Sequence, residues 1–141
     1  MSAVDFLDTN VLLYMFDRRA PVKQATAKQL VSDALTHGSG VISFQVVQES
    51  LNTLTRKARA VMTAVDASHF LQDVLAPLWQ VHPTSTLYDR ALQIQARQGF
   101  SFYDSAIVAA ALEGGCRRLL TEDLQHGQRV GSLRIENPFL P

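Results

Sequence analysis

Four carboxylates stand where predicted strands end or within the first half of predicted helices, and they are the side chains of this sequence best suited to chemistry. Asp8 and Asp123 each follow a short apolar run that favours a strand. Asp104 lies at the start of a predicted helix, on the line of its buried stripe, and Glu49 lies in the first half of another. Ligands of an open α/β sheet bind outside the carboxyl ends of its strands. We therefore expect the four acids to converge at that edge.

Such a convergence predicts a cation site and a hydrolytic reaction. Two carboxylates about 4 Å apart repel by roughly 4 kcal/mol at an effective dielectric constant near 20, so packing alone does not explain a cluster of them. Hard oxygen ligands of this kind suit Mg²⁺ or Mn²⁺. A divalent cation can lower the pKa of a bound water and stabilise charge on a phosphorus atom. The predicted reaction is phosphodiester hydrolysis.

Each of these acids also has a purely structural interpretation. The polar run that begins at Asp8 is typical of a helix N-cap, and Ser101 to Asp104 has the spacing of a capping box. Glu49 alone would be a solvated helix residue, and Asp123 alone would be a turn residue. Only the joint arrangement of the four acids favours the metal site.

The elements that must position these acids alternate along the chain. Strands are predicted at residues 3–7, 40–43, 79–81, 117–121 and 133–136. Helices are predicted from the apolar stripes over 27–35 and 47–58, at 67–76 up to a break at Pro77, at 86–97, and from 101 to the glycine pair at 114–115. This alternation predicts an α/β fold, with a mostly parallel sheet of about five strands and helices on both faces.

Composition sets further limits on the function. The 141 residues are expected to form a single domain, residues 1–141. Thirteen basic side chains balance thirteen acidic ones, which excludes a general basic nucleic-acid binder. The lone cysteine, Cys116, favours a reducing compartment. Because no apolar run approaches the roughly 20 residues of a membrane span, we expect a cytoplasmic protein with no membrane contact.

Other catalytic chemistries lack their motifs. The four histidines show no HxxxH spacing, so zinc is not expected. The sequence also contains no GxSxG elbow and no glycine-rich phosphate loop, so covalent catalysis is not expected. A metal-assisted reaction remains the chemistry that the sequence favours.

Four segments, taken in order, carry a family resemblance. They are VDFLDTNVLLY (4–14), ISFQVVQE (42–49), FYDSAIVAAA (102–111) and LLTEDLQHG (119–127). Together they resemble the PIN-domain ribonucleases, in particular VapC-type toxins, over nearly the whole chain. The resemblance implies a Mg²⁺- or Mn²⁺-dependent endoribonuclease that cuts structured or single-stranded RNA, tRNA or rRNA, to inhibit translation. It also implies a cognate antitoxin that blocks the pocket, and a homodimer.

The resemblance also implies roles for individual residues. Asp8 and Asp104 match the acids on which the family relies most for its metal, and Glu49 and Asp123 complete the pocket. All four are therefore expected to be catalytic as well as metal ligands.

Supporting positions follow from the same comparison. Thr121 matches a Ser or Thr position near the metal, and Asn10 is expected to support the acids. Two adjacent acids on a loop rarely both point inward, so we prefer Asp123 to Glu122 as the last pocket residue.

Two alternatives stay open at this stage. The first is an enzyme of the same fold that processes RNA without a toxin role. The second is a non-catalytic interaction module, or a receiver-like phospho-acceptor domain, which also places acids at strand ends. A receiver would need a lysine late in the chain, whereas the last lysine here is Lys57.

Further side chains could contact RNA. Phe100, Phe102 and Tyr103 could stack on bases, although aromatic residues beside a helix start are more often part of the core. Basic side chains could bind phosphates or simply be solvated. These are Arg18, Arg19, Lys23, Arg56, Lys57 and Arg59.

Overall fold

Six short strands form one sheet in the computed structural model, which describes residues 4–56 and 60–141. They are β1 (Asp5–Leu7), β2 (Gly40–Ser43), β3 (Trp79–Val81), β4 (Arg118–Leu120), β5 (Arg129–Val130) and β6 (Leu133–Glu136).

Seven helices connect or flank the strands within the same described ranges. They are α1 (Thr9–Tyr14), α2 (Pro21–His37), α3 (Phe44–Leu54), α4 (Ala64–Phe70), α5 (Ala76–Leu78), α6 (Ser85–Gln98) and α7 (Phe102–Glu113), with a π-helical turn (Leu71–Leu75) between α4 and α5. Over residues 4–56 and 60–141, none of these helices has the length and apolar character that a membrane span requires.

The strand order is β3-β2-β1-β4-β6-β5, and every neighbouring pair is parallel except β5 and β6. Consecutive residues of the central strands are buried, for example Phe6 with Leu7 and Val41 with Ile42. Since successive strand residues face opposite sides, both faces of the sheet are covered. The predicted α/β class is confirmed. The order also differs from the 2-1-3-4-5 order of receiver domains, which removes that alternative.

One strand was not predicted. The sheet has six strands rather than about five, because β5 contributes two residues that pair antiparallel with β6. A turn at Gly131, with φ of 59°, brings the two strands together. Two residues are too few to show an alternating pattern, so the sequence carries no strand signal there.

The helical region before β3 also differs from its prediction. The helix begins at Ala64, where the Thr63 side chain caps it, rather than at residue 67. It continues through the π-helical turn to Leu78, so the expected break at Pro77 comes one residue too early. The turn ends with the Ala76 N–H bonded to the Leu71 carbonyl. Pro77 then occupies a first-turn position, where its missing N–H is tolerated.

Helix α3 agrees with its apolar stripe as far as Leu54, its last residue. The remaining member of that stripe, Ala58, lies outside the described residues, as do the basic residues Lys57 and Arg59.

Two glycines at the predicted end of α2 allow this helix to pack close to β2. Gly38 ends α2 with φ of 62°, a backbone conformation that favours glycine. A Cβ atom at Gly40 would lie 2.5 Å from the Cβ of Ala34. Only a residue without a side chain allows the strand to approach the helix this closely.

The carboxyl edge of the sheet gathers the ends of the central parallel strands. Asp8 follows β1, Ser43 ends β2, and Thr121 follows β4. Because β1 lies between β2 and β4, these three positions are neighbours across the edge.

Candidate functional site

Asp8 is both a helix cap and the most buried acid of the candidate site. Its side chain is the N-cap of α1 and accepts a hydrogen bond from the Thr9 backbone N–H at 2.7 Å. The other carboxylate oxygen accepts a hydrogen bond from the Thr121 hydroxyl at 2.8 Å. The residue is only 7% exposed. The structural interpretation of Asp8 is therefore correct, and it leaves an acid inside the protein at the sheet edge.

The surroundings make the charged form of Asp8 unfavourable. Burial is the main cause that raises the pKa of its carboxyl to about 7, while the hydrogen bonds from Thr121 and Thr9 lower it in part. The negative charges of Asp123 and Glu49 raise it further. A cation at this position would stabilise the charged carboxylate, and so offset both the cost of its burial and its repulsion by the neighbouring acids.

Thr121 and Asn10 join Asp8 to Asp123. The Asn10 amide donates to the Thr121 hydroxyl at 3.2 Å and to the Asp123 carboxylate at 3.1 Å. The Asp123 backbone N–H donates to the same hydroxyl at 3.1 Å. Thr121 is fully buried. Its hydroxyl oxygen accepts hydrogen bonds from Asn10 and Asp123, and it donates its single hydroxyl proton to Asp8.

Glu49 is held from the opposite side of the edge by a residue that sequence reasoning missed. Its carboxylate accepts a hydrogen bond from the Gln45 amide at 2.7 Å, and the same amide donates to the Tyr103 carbonyl at 3.3 Å. Gln45 is 7% exposed. The spacing of four residues between Gln45 and Glu49 was the available signal, since such pairs meet on a helix.

Asp104 lies on the first turn of α7, directly after Tyr103. Its backbone N–H donates to the Ser101 hydroxyl at 3.1 Å, so the predicted cap is present. Asp104 itself is half-buried. The Gln45 link to the Tyr103 carbonyl connects this turn to the helix that carries Glu49.

Glu122 turns away from the acids. Its carboxylate accepts hydrogen bonds from the Tyr14 hydroxyl at 2.5 Å and from the Lys23 ammonium at 3.1 Å. Lys23 also donates to the Tyr14 hydroxyl at 3.1 Å. Glu122 and Asp123 therefore have separate hydrogen-bond partners.

The donor types present fit a hard divalent cation. Carboxylate, amide and hydroxyl oxygens lie together at this edge, and the buried side-chain oxygen of Asn10 has no hydrogen-bond partner among residues 4–56 and 60–141. Such oxygens are the ligands that Mg²⁺ and Mn²⁺ prefer. Within residues 4–56 and 60–141, no three acidic, histidine or cysteine side chains lie close enough together to hold an ion between them. The structure joins Asp8 with Asp123 and brings Glu49 within electrostatic reach, without closing all four acids into one cluster.

The sequence model of the PIN domain family matches residues 6–130 of this chain. The chain therefore belongs to the PIN domain family, and the resemblance seen in its motifs is confirmed. No curated protein matches the sequence significantly.

Solved structures share the fold at low sequence identity. A toxin–antitoxin complex from Klebsiella pneumoniae has a TM-score of 0.66 at 17% identity and covers 98% of this chain and 98% of that chain. The sarcin-ricin-loop-cleaving toxin VapC20 of Mycobacterium tuberculosis has a TM-score of 0.58 at 23% identity, over 84% of this chain and 91% of that chain. VapBC2 of Rickettsia felis, bound to a promoter DNA fragment, has a TM-score of 0.62 at 16% identity, over 95% and 98%.

Proposed function

We propose that this protein is a Mg²⁺- or Mn²⁺-dependent endoribonuclease, and that it acts as the toxin of a toxin–antitoxin pair by cleaving tRNA or rRNA. The observation that carries the proposal is the hydrogen-bonded network that runs from buried Asp8 through Thr121 and Asn10 to Asp123 at the surface. It lies at the carboxyl edge of the sheet of a PIN domain, where ligands of α/β proteins bind.

The chain's own residues have distinct roles in this proposal. Asp8, Glu49, Asp104 and Asp123 would hold the cation. Such a cation lowers the pKa of a bound water and stabilises charge on phosphorus.

The remaining network residues act on the acids. Thr121 fixes the orientation of the Asp8 carboxylate, because its only hydroxyl proton is directed there. Asn10 keeps Asp123 turned toward the same space through its amide.

Basic side chains near the site fit a phosphate backbone. Arg18 and Arg19 are exposed and line a cavity of about 720 Å³ that also includes Asn10. Arg19 pairs with Asp17 at 3.2 Å and Lys23 with Glu122 at 3.1 Å. We therefore propose Arg18 as the first candidate for phosphate contact, because Arg19 and Lys23 are already paired with acids.

The toxin role includes a partner and a location. The neighbouring structures from Klebsiella pneumoniae and Rickettsia felis are toxin–antitoxin assemblies. Their shared fold supports a cognate antitoxin for this chain, and the proposal includes a homodimer. The proposal also includes a cytoplasmic location, where tRNA and rRNA would be available as substrates.

The first test is cleavage of a mixed tRNA and rRNA pool by the purified protein, with Mg²⁺ or Mn²⁺ and with chelator. We expect cleavage that requires the cation and is lost in Asp8→Asn. The matched control is Asp89→Asn, which removes an exposed acid of α6 that bonds only to Gln93 on its own helix among the described contacts. Loss of cleavage in both variants, or cleavage in chelator, would contradict the proposed site.

The toxin role needs its own measurement. Expression of the wild-type chain is expected to arrest growth, and expression of Asp8→Asn is not. Metal-dependent cleavage without growth arrest would retain the nuclease and remove the toxin role.

A further inference from the structure

An aromatic cavity of about 480 Å³ lies beside the acids and has no role in the chemistry described so far. Its walls are Phe44, Gln45, Gln48, Tyr88, Phe102 and Tyr103. The volume falls in the range of small-ligand sites in proteins. Among the residues that the structure describes, none with a charged side chain lines the cavity.

The fold places this cavity at the same edge of the sheet as the acids. Phe44 begins α3 directly after β2, and Tyr88 lies in the first turns of α6, the helix that follows β3. Phe102 begins α7, whose opposite end leads into β4. All three positions are therefore near the carboxyl ends of parallel strands.

Two links connect the cavity to the proposed metal ligands. Gln45 lines the cavity and donates to Glu49 at 2.7 Å. Tyr103 lines it as well and directly precedes Asp104 in the chain. A group seated in the cavity would thus lie near Glu49 and Asp104, two of the proposed metal ligands.

The aromatic rings leave faces open to solvent. Tyr88 and Phe102 stack with ring centroids 6.3 Å apart and an interplanar angle of 28°. Tyr103 is 71% exposed, and Tyr88 is 39% exposed. The prediction that an aromatic residue beside this helix start would be in the core is wrong for Tyr103. Its ring is free to stack on a planar ligand.

We propose that this cavity binds an unpaired nucleobase of the RNA, adjacent to the phosphate that is cleaved. The inference rests on the proposed function for its ligand class. An uncharged aromatic cavity beside acids disfavours a phosphate and accepts a neutral planar ring. Bases of single-stranded RNA are recognised by such stacking together with hydrogen bonds to their edges, and Gln48, a residue that can form such bonds, lines the same space.

The subsite is tested by binding rather than by cleavage. Short single-stranded RNA carrying a fluorophore is titrated with Asp8→Asn protein in Mg²⁺, and the Kd is read by anisotropy. Adding Tyr103→Ala is expected to raise the Kd about 5- to 150-fold, the range for loss of one base–aromatic stack. Tyr103→Phe keeps the ring and is expected to bind like its parent.

A matched control and a modified ligand isolate the stack. Val65→Ala removes an equally exposed apolar side chain, 66% exposed, from α4, and is expected to leave the Kd unchanged. RNA with abasic positions is expected to bind the parent weakly, and Tyr103→Ala is expected to add little to that loss. Because Tyr103 is exposed, its truncation should leave the melting temperature unchanged, which verifies folding.

Three outcomes would overturn the subsite. They are no binding of single-stranded RNA by the parent, equal affinity in Tyr103→Ala, and a change in oligomeric state by sedimentation with unchanged RNA affinity. The change in oligomeric state would indicate that the cavity is part of an interface between copies of the chain. Tyr103-dependent binding without wild-type cleavage would retain the subsite and reject the nuclease. If wild-type cleavage occurs and neither cleavage nor RNA binding depends on Tyr103, the nuclease is retained and the subsite is rejected.

Discussion

Asp8 combines a stabilising contact with an electrostatic penalty in one side chain. The bond from the Thr9 N–H caps α1, and such caps stabilise a helix by about 1 kcal/mol. Burial and the neighbouring charges of Asp123 and Glu49 oppose this, because together they raise the pKa to about 7. At a pH between 3.8 and about 7, the native protein without a cation therefore holds a proton on Asp8 that the unfolded chain releases.

The pH dependence of stability follows from that difference. Because the pKa of Asp8 rises from 3.8 to about 7 on folding, its contribution to stability is lost as the pH rises between these values. We expect Asp8→Asn to unfold in chelator at a free energy roughly 1–3 kcal/mol higher than wild type at about pH 8, below the ceiling of about 4 kcal/mol that the shift allows. The gain should shrink at about pH 5, where wild-type Asp8 is largely protonated.

Urea unfolding of both proteins at the two pH values measures this difference. Asp89→Asn serves as the control, since it removes an exposed acid. A gain for Asp8→Asn that is equal at both pH values would contradict the assignment of the penalty to the Asp8 charge.

The sequence predicted residues of the site where a local pattern places them. Asp8 and Asp123 each come after a strand, and this position in the chain is enough to place them at the carboxyl edge of the sheet. The separate partners of Glu122 were not predictable, because Lys23 and Tyr14 reach it only after α1 and α2 have packed together. For Gln45 the spacing to Glu49 was a local signal, whereas its second partner on α7 could not be predicted from the sequence.

At the scale of elements, a polar cluster fixes the loop that follows β4. Lys23 of α2, Tyr14 of α1 and Glu122 of the loop share three hydrogen bonds. Phe139 packs edge-on against Tyr14, with ring centroids 4.8 Å apart. Since Glu122 lies between Thr121 and Asp123, this cluster determines where the loop's site residues point.

Lys23→Ala is therefore expected to lower cleavage activity by up to about tenfold, the lower end of the effect of losing a residue bonded directly to a metal ligand, because Lys23 acts only through Glu122. The measurement is the concentration of Mn²⁺ needed for half-maximal cleavage, which should rise. Arg90→Ala is the matched control, because it breaks an ion pair of similar exposure, Arg90 with Glu113 at 3.0 Å, that joins α6 to α7. Equal effects of the two variants on the Mn²⁺ requirement would reduce Lys23 to an ordinary surface ion pair.

The sequence predicted some helices and strands and missed others. The stripe of α2 and its glycine end at Gly38 were predicted because both signals are local. The pairing of Arg129–Val130 with β6 was not, because two residues carry no periodicity and their partner alone makes them a strand. The π-helical turn at Leu71–Leu75 changes the hydrogen-bond register without any composition signal.

At the scale of the whole molecule, the arrangement of the candidate site exists in the native state alone. The network that joins Asp8 to Asp123 spans 113 residues between Thr121 and Asp8, so it exists only once β1 and β4 are side by side. An ion that requires this arrangement binds the folded chain and has little affinity for the unfolded one. Binding to the native state alone raises the free energy of unfolding.

Mn²⁺ at about 100 times its Kd is accordingly expected to stabilise the protein by about 2.7 kcal/mol, which corresponds to a rise in Tm of roughly 5–10 °C for a domain of this size. At one fixed Mn²⁺ concentration the rise should be larger at about pH 8 than at about pH 5, because the ion competes with the proton that burial keeps on Asp8. Asp8→Asn should lose most of it, and Arg90→Ala should retain it. A rise that is equal in wild type and Asp8→Asn would place the cation elsewhere on the molecule.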